Sequence, residues 1–382
     1  MLWSTVALDL IGFGIAIPVL ALFAKDRFGA SPTQTGLLFA SFSLAQFLMA
    51  PVLGRLSDRI GRKPVILLSL FGTAIGSLIT GAAVGLWMLF LGRILDGASG
   101  ASVAVAQAAA TDLSDPADRP RVLGLLGAAF GIGFTIGPAI GGLAAWLGGQ
   151  RAPFYVAAVL AFVNGVAAIV RVPETRQRSV PGAAAADGHP PRRAWISRPV
   201  PGLGSLLVIG FTALMAFSAF EATFSLFGER RFDLTEASVA WVFVGIGVGS
   251  SLIQGGAIAP LSKAFSSRTL LAFGLTANAA GLLVLAGADQ WYELTIALAL
   301  LVVGQGVSSP TITNMVATRA GRAERGRALG EQQAAGALAR VIGPAVGGVL
   351  FDARVSLTYV VGACMVGVAL LALARDRAPQ AA

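Results

Sequence analysis

Charge is what this chain has least of. Asp, Glu, Lys and Arg make up 12% of its 382 residues, about half the share of a typical soluble domain. So few charges cannot cover a water-facing surface, which excludes soluble enzymes, disordered tails and disulfide scaffolds. The one cysteine, Cys364, lies in an apolar stretch and excludes an internal disulfide. The one histidine, His189, lies in a segment rich in Gly, Pro and Ala, which excludes a histidine metal site and an intramembrane histidine relay. No Gly-Lys-Ser/Thr triplet occurs, and no strand pattern precedes the string Gly245-Ile246-Gly247-Val248-Gly249, so ATP-driven chemistry has no support. Those glycines read as helix contacts. No metal or other cofactor is expected.

What fills the chain instead is apolar: 55% of residues are hydrophobic and the mean hydropathy is +0.77. The apolar runs are about 20 residues long, enough to cross ~30 Å of hydrocarbon as helix. They are continuous rather than alternating, which excludes a β-barrel. Twelve spans are predicted, at 2–24, 33–54, 64–84, 86–109, 121–147, 152–171, 203–228, 236–259, 268–288, 291–316, 326–351 and 354–375. The first has neither a basic segment before it nor a small-residue cleavage site, so it reads as a span and not as a signal peptide.

The net charge of +9 and pI near 10.9 would suggest a nucleic-acid partner in a soluble protein. Here the cations sit in loops. With the N-terminus inside, the inside loops and the C-terminal end hold twenty of the 28 Lys and Arg, and the opposite loops hold six. Acidic residues are not biased, eight inside and seven outside. Both termini are therefore expected in the cytoplasm. Short loops without targeting extensions suggest a prokaryotic inner membrane.

One long connection, 172–202, is rich in Pro, Ala and Arg and reads as a flexible cytoplasmic linker between six-span units at 1–171 and 203–382. The two units repeat. Residues 136–143, IGPAIGGL, match 342–349, IGPAVGGV, at an offset of 206, and Gly124 matches Gly330 at the same offset. AAAT at 108–111 matches MVAT at 315–318, and Arg27-Phe28 matches Arg231-Phe232, at offsets of 207 and 204. A six-helix unit duplicated with the same topology resembles the major facilitator type of secondary transporter. That resemblance implies an all-α membrane fold of two parallel repeats around a central cavity, complete in one chain and so sufficient as a monomer.

The loop after span 2 carries the strongest motif, Gly54-Arg55-Leu56-Ser57-Asp58-Arg59-Ile60-Gly61-Arg62-Lys63-Pro64. It resembles the signature loop of the major facilitator superfamily. The resemblance implies a gate in which Gly54, Asp58, Arg59, Gly61 and Arg62 take part, with Asp58 facing a helix N-terminus of the other half, at span 11. The matching second-half loop, 261–268, has Lys263 at the acid position and Ser266 at the glycine position. In span 5, Gly133, Gly137, Pro138, Gly141 and Gly142 read physically as close helix packing with a proline bend. They also look like the antiporter motif of facilitator-family exporters. Leu91 to Gly97 resembles the family's intramembrane arginine motif. Asp96 either neutralises Arg93 or leaves it to relay protons. Ser4 to Pro18, with the signature loop, is similar to the twelve-span drug/proton antiporters and to tetracycline exporters in particular. Those carry further acids in spans 3 and 9, where this chain has Gly76 and Asn278.

Four acids lie inside the predicted spans beyond the first turn: Asp9, Asp96, Glu221 and Glu331. A carboxylate in low dielectric holds its proton more tightly unless a cation is near, so a physiological pH gradient can drive its titration. Asp96 has Arg93 close by, and Glu331 lies near a helix start. Asp9 and Glu221 are therefore the candidate coupling pair. The structural alternatives are an ion pair of Glu221 with Arg340 and a helix-packing hydrogen bond for Asp9. The in-span amides Gln46, Gln254, Asn278, Gln305 and Asn314 are candidate substrate contacts or interhelical hydrogen-bond formers. The expected function is proton-coupled export of a small lipophilic or cationic molecule, with protons and the bilayer as its other partners. Facilitated or proton-coupled uptake of a sugar, organic acid or siderophore is the alternative within transport, and a sensor or membrane enzyme the alternative outside it.

Overall fold

The computed structural model describes residues 2–100, 105–106, 109, 119–172, 174, 200 and 202–376, and among these the regular structure is helical throughout. The helices are α1 (Leu2–Phe28), α2 (Pro32–Ile60), α3 (Arg62–Gly81), α4 (Leu86–Ser99), α5 (Arg119–Gly148) and α6 (Ala152–Arg171). The second set is α7 (Gly204–Phe232), α8 (Glu236–Ala264), α9 (Ser267–Gly287), α10 (Trp291–Arg319), α11 (Gly321–Ala353) and α12 (Leu357–Arg375). Eleven are long and apolar enough to cross a bilayer. The fourth predicted span is met by α4, with 14 residues, and most of its remainder lies outside the described residues, as does 175–199 of the linker.

Several helices run past the predicted limits. α2 continues to Ile60, α10 to Arg319, and α11 begins at Gly321. Hydropathy marks the hydrocarbon slab, whereas a helix continues as long as its backbone groups pair, so charged turns are added at the ends. Sharp chain reversals stop them. Gly61 alone separates α2 from α3 with φ 109, and Gly321 follows α10 with φ 68, a region that favours glycine. At the opposite end of α2, Ser31 Oγ accepts from Gln34 N–H at 3.2 Å while Gln34 Oε1 accepts from Ser31 N–H at 2.9 Å, a capping box that fixes the helix start. α8 loosens into a π-helical turn at Ile253–Ala257.

Helix packing carries the repeat. α1 packs on α5 and α6, α3 on α4 and α6, and α2 on α4; correspondingly α7 packs on α11 and α12, α9 on α10 and α12, and α8 on α10. Across the halves α2 packs on α11 and α5 on α8, so equivalent helices exchange places. This is a pseudo-two-fold arrangement of two parallel six-helix sets, whose axis runs along the helices. The face where α2 meets α3, α6 ends and α7 begins is called the linker face below, and its opposite the far face.

Candidate functional site

A cavity of about 810 Å³ opens between α1, α2, α3, α4, α6 and α11. It runs from Thr80 and Phe154, near the far face, to Arg55, near the linker face. Asp9 and Phe13 face it from α1, Phe42, Gln46 and Phe47 from α2, and Arg93 and Asp96 from α4. The second half supplies Gln333, Ala334, Ala337 and Arg340 of α11, one stripe at helical spacing. Apolar and aromatic walls with a few converging polar groups are the usual make-up of a small-molecule site.

Arg93 and Asp96 form a buried ion pair in the cavity wall, Nη1 to Oδ2 at 2.8 Å, with exposures of 4% and 7%. The Arg93 guanidinium also lies 4.2 Å from the centre of the Phe42 ring. Gly76 makes this arrangement possible. A Cβ there would stand 2.8 Å from Asp96 N and Cβ, so position 76 has no room for a larger side chain. Asn278 is likewise packed in: it is 5% exposed, donates to Ser308 Oγ at 3.4 Å, and fills the space beside Gly304.

The other predicted residues divide. Gln46 lines the cavity and donates to Gly100 O at 2.9 Å. Gln254 is exposed in the π turn, Asn314 is exposed and Gln305 half-buried on α10, and these three are not among the lining residues. Asp9 is half-buried on α1 and lines the cavity. Glu221 is half-buried on α7 and stands behind the wall, where its electrostatic partner is Arg340. Glu331 accepts from Val200 N–H at 3.2 Å and pairs with Arg327 at 3.3 Å, so it anchors the chain entering α7. Among the candidate helix-contact glycines, Gly249 fits against Val302, while Gly245 has open space around it.

In the 54–64 loop, Asp58 pairs with Arg62 at 2.7 Å, and Arg62 donates to Ser57 Oγ at 2.6 Å. Arg59 is exposed, and Gly54 has open space around it. The loop has a further partner that its own sequence does not announce. The Glu174 carboxylate accepts from Arg62 N–H at 3.0 Å and Lys63 N–H at 3.3 Å, capping the first turn of α3 where the helix dipole is positive. It occupies the space a Cβ on Gly61 would need. Glu174 falls within the predicted linker, but it is pinned three residues beyond the end of α6. The second half joins the equivalent helix ends with opposite chemistry: Arg268 donates to the carbonyls of Leu373, Ala374 and Asp376 at 2.9, 3.0 and 3.0 Å.

The span-5 glycines serve two partners. Gly133, Gly137 and Gly141 face α1, where added Cβ atoms would stand 2.7 Å from Leu10 Cβ, 2.7 Å from Gly14 Cα and 2.5 Å from Ile15 O. Gly142 instead meets Ala240 of α8, across the halves. Pro138 lies within α5. The repeat reproduces the division. Gly343 and Gly347 face α7, while Gly348 meets α2, where a Cβ would stand 2.5 Å from Pro32 O and 3.1 Å from Gly36 Cα.

These inter-half contacts lie at the far face, together with polar ties. Lys25 pairs with Glu229, Thr33 donates to Asp352 at 2.7 Å, and Gln150 donates to Glu236. Ser225 donates to Pro18 O at 3.1 Å in the buried seam beneath them. The far face is closed, and the cavity reaches toward the linker face.

Comparison with known proteins accounts for this architecture. The family model of the Major Facilitator Superfamily matches residues 2–259 and 206–382. A tetracycline resistance protein, class C, of Escherichia coli is 32% identical over 381 residues, covering 97% of this chain and 95% of that protein. Multidrug resistance protein 1 of Bacillus subtilis (strain 168) is 26% identical, covering 94% and 91%. Among solved structures, a bacterial homologue of the human lysosomal transporter Spinster, inward-facing and occupied, superposes with a TM-score of 0.75 at 15% identity over 98% of this chain and 93% of that one. The chain belongs to the major facilitator superfamily of membrane transporters, a multi-span membrane protein and not an enzyme, and tetracycline- and multidrug-resistance proteins are among its relatives.

Proposed function

We propose that this protein exports small amphipathic compounds from the cytoplasm in exchange for protons, by alternating access of the one cavity to the two faces. The observation that carries the reading is the cavity itself: bounded by both halves, closed at the far face and lined by Asp9 and the Arg93–Asp96 pair. On this reading the linker face and both termini lie on the cytoplasmic side of a bacterial inner membrane, which the positive-inside bias supports, and the described state awaits substrate from within.

Asp9 and Glu221 are the proton carriers in this scheme. A substrate enters from the linker face among the Phe13, Phe42 and Phe47 rings, with its cationic group toward Asp9. Protonation from outside neutralises the carboxylate, releases the cation, and lets the halves rock back. The Asp58 loop closes the linker face in the alternate state, against the start of α11, and opens in the state described. The small-residue contacts of Gly133, Gly137, Pro138 and Gly141 keep α5 and α1 together as one body, while Gly142 sits on the surface that parts. Residues 1–171 and 203–382 move as the two units, a single chain is sufficient, and 172–202 ties them. Magnesium-chelated tetracycline is disfavoured as substrate, because Gly76 and Asn278 take the places of the acids its chelated cation would meet.

Inside-out vesicles with an acid interior test the direction. Lipophilic dyes and drugs are expected to accumulate in them and to be released when the gradient is collapsed. Accumulation of a labelled sugar or organic acid, with no drug moved, would establish uptake instead.

A further inference from the structure

Arg340 is an unusual residue to find in this wall. It comes from the middle of α11, the one helix through which the second half reaches the cavity among its described lining residues. Of the other cations there, one is paired and one is peripheral, and the acid Asp9 belongs to the first half. Arg93 and Asp96 neutralise each other at 2.8 Å, and Arg55 lies at the linker-face mouth, where its Nε donates to Pro51 O at 3.2 Å. Arg340 lines the cavity, is only half-buried, and makes no hydrogen bond or ion pair among the described residues. Its electrostatic partner Glu221 stands behind it on α7 without closing a salt bridge onto the guanidinium. No hydrogen bond or ion pair among the described residues engages the N–H donors of that guanidinium, whose planar fork fits a carboxylate.

Building on the export reading above, we propose that Arg340 is a specificity-determining residue that binds an acidic group of the substrate, so that the preferred compounds are lipophilic acids and zwitterions rather than permanent cations. The two halves then hold opposite ends of one molecule: Asp9 on the first half takes a basic group and Arg340 on the second takes the acidic one. A ligand gripped at both ends links the halves directly, which a purely apolar ligand cannot do. Gln333, two turns away on the same stripe of α11, adds an amide to the acidic end.

Rhodamine B and its methyl ester test this. They share one lipophilic cation and differ only in a free carboxylate. Fluorescence polarisation with the purified full-length protein is expected to show rhodamine B binding about tenfold more tightly than the ester, the scale of one charge-assisted contact. Arg340→Gln should erase that preference and leave ester binding as it was, which also shows that the variant is folded. Arg340→Lys should restore part of the preference, keeping the charge without the fork. Glu221→Gln should tighten rhodamine B several-fold by removing the competing negative charge. Equal binding of the two dyes to the wild type overturns the inference while leaving export standing, as does an equal loss of both in Arg340→Gln. Binding of neither dye overturns the export reading and this inference with it.

Discussion

Lys25 and Glu229 form an ion pair between the last turns of α1 and α7, and they are equivalents in the repeat, 204 positions apart. Residues equivalent across a pseudo-two-fold axis meet each other when they lie close to it. Identical charges there would repel, whereas the opposite charges present tie the closed far face. Both side chains are about one-third exposed, and pairs of that kind are worth roughly 0.2–1 kcal/mol. Lys25→Glu should therefore shift the population away from far-face closure by a few-fold, and Lys25→Glu with Glu229→Lys should restore it. Spin-label distances between α1 and α7 at the far face measure this directly.

Sterics are expected to weigh more than that ion pair. A Cβ on Gly36 would overlap the carbonyl of Pro344 and stand 3.0 Å from Gly348 Cα. Both obstacles are backbone and cannot swing away. Gly36→Leu should hold α2 off α11, lose transport, and leave the protein folded, because this seam separates in the proposed cycle anyway. Disulfide formation between Thr33→Cys and Asp352→Cys, in a Cys364→Ala background, should be efficient when Gly36 is kept and lost when Gly36→Leu is added.

Much of this was legible in the sequence, and the parts that were not share a cause. Hydropathy located the spans because the bilayer imposes one length on them, and IGPAIGGL against IGPAVGGV revealed the duplication. Sequence also pointed to close packing at Gly137 and Gly141, but not to Gly142 and Gly348 crossing to the other half, since one helix's spacing does not say which neighbour each face meets. Glu174 is hidden because it follows Pro173 in a stretch that reads as linker; a carboxylate placed just after one span and within reach of the α3 start is the available signal. Sequence offers Arg340 only as a counter-charge to Glu221. The recurrence of Gln333, Ala337 and Arg340 on one helical stripe is the clue that it lines a cavity. Gln254, Gln305 and Asn314 show the converse, since an amide within a span need not face the described cavity.

The glycines of α1, α2 and α5 should respond unequally. Gly137→Ala places a methyl 2.7 Å from the Gly14 Cα and Ile11 carbonyl, an overpacking expected to cost about 1–3 kcal/mol. Gly12→Ala and Gly54→Ala meet nothing within 4 Å and should leave stability unchanged or slightly raised. Thermal unfolding in detergent distinguishes the two sets.

The Arg93–Asp96 pair should behave as a buried unit. Removing one partner strands the other charge at a site less than a tenth exposed, which costs about 3–5 kcal/mol. Asp96→Asn alone should therefore destabilise more than Arg93→Met combined with Asp96→Leu, in the same unfolding assay.

Coupling of substrate to protons is the heart of the account, and one measurement reaches it most directly. Proteoliposomes loaded with a pH-sensitive dye, with no gradient imposed, are given a panel of lipophilic drugs. Wild-type protein should produce drug-evoked proton movement; Glu221→Gln should abolish it while drug binding persists, and Asp9→Asn should abolish it together with the tight binding of cationic drugs. Proton movement that survives in both variants, or drug flux in the wild type with no proton movement at all, would contradict the account.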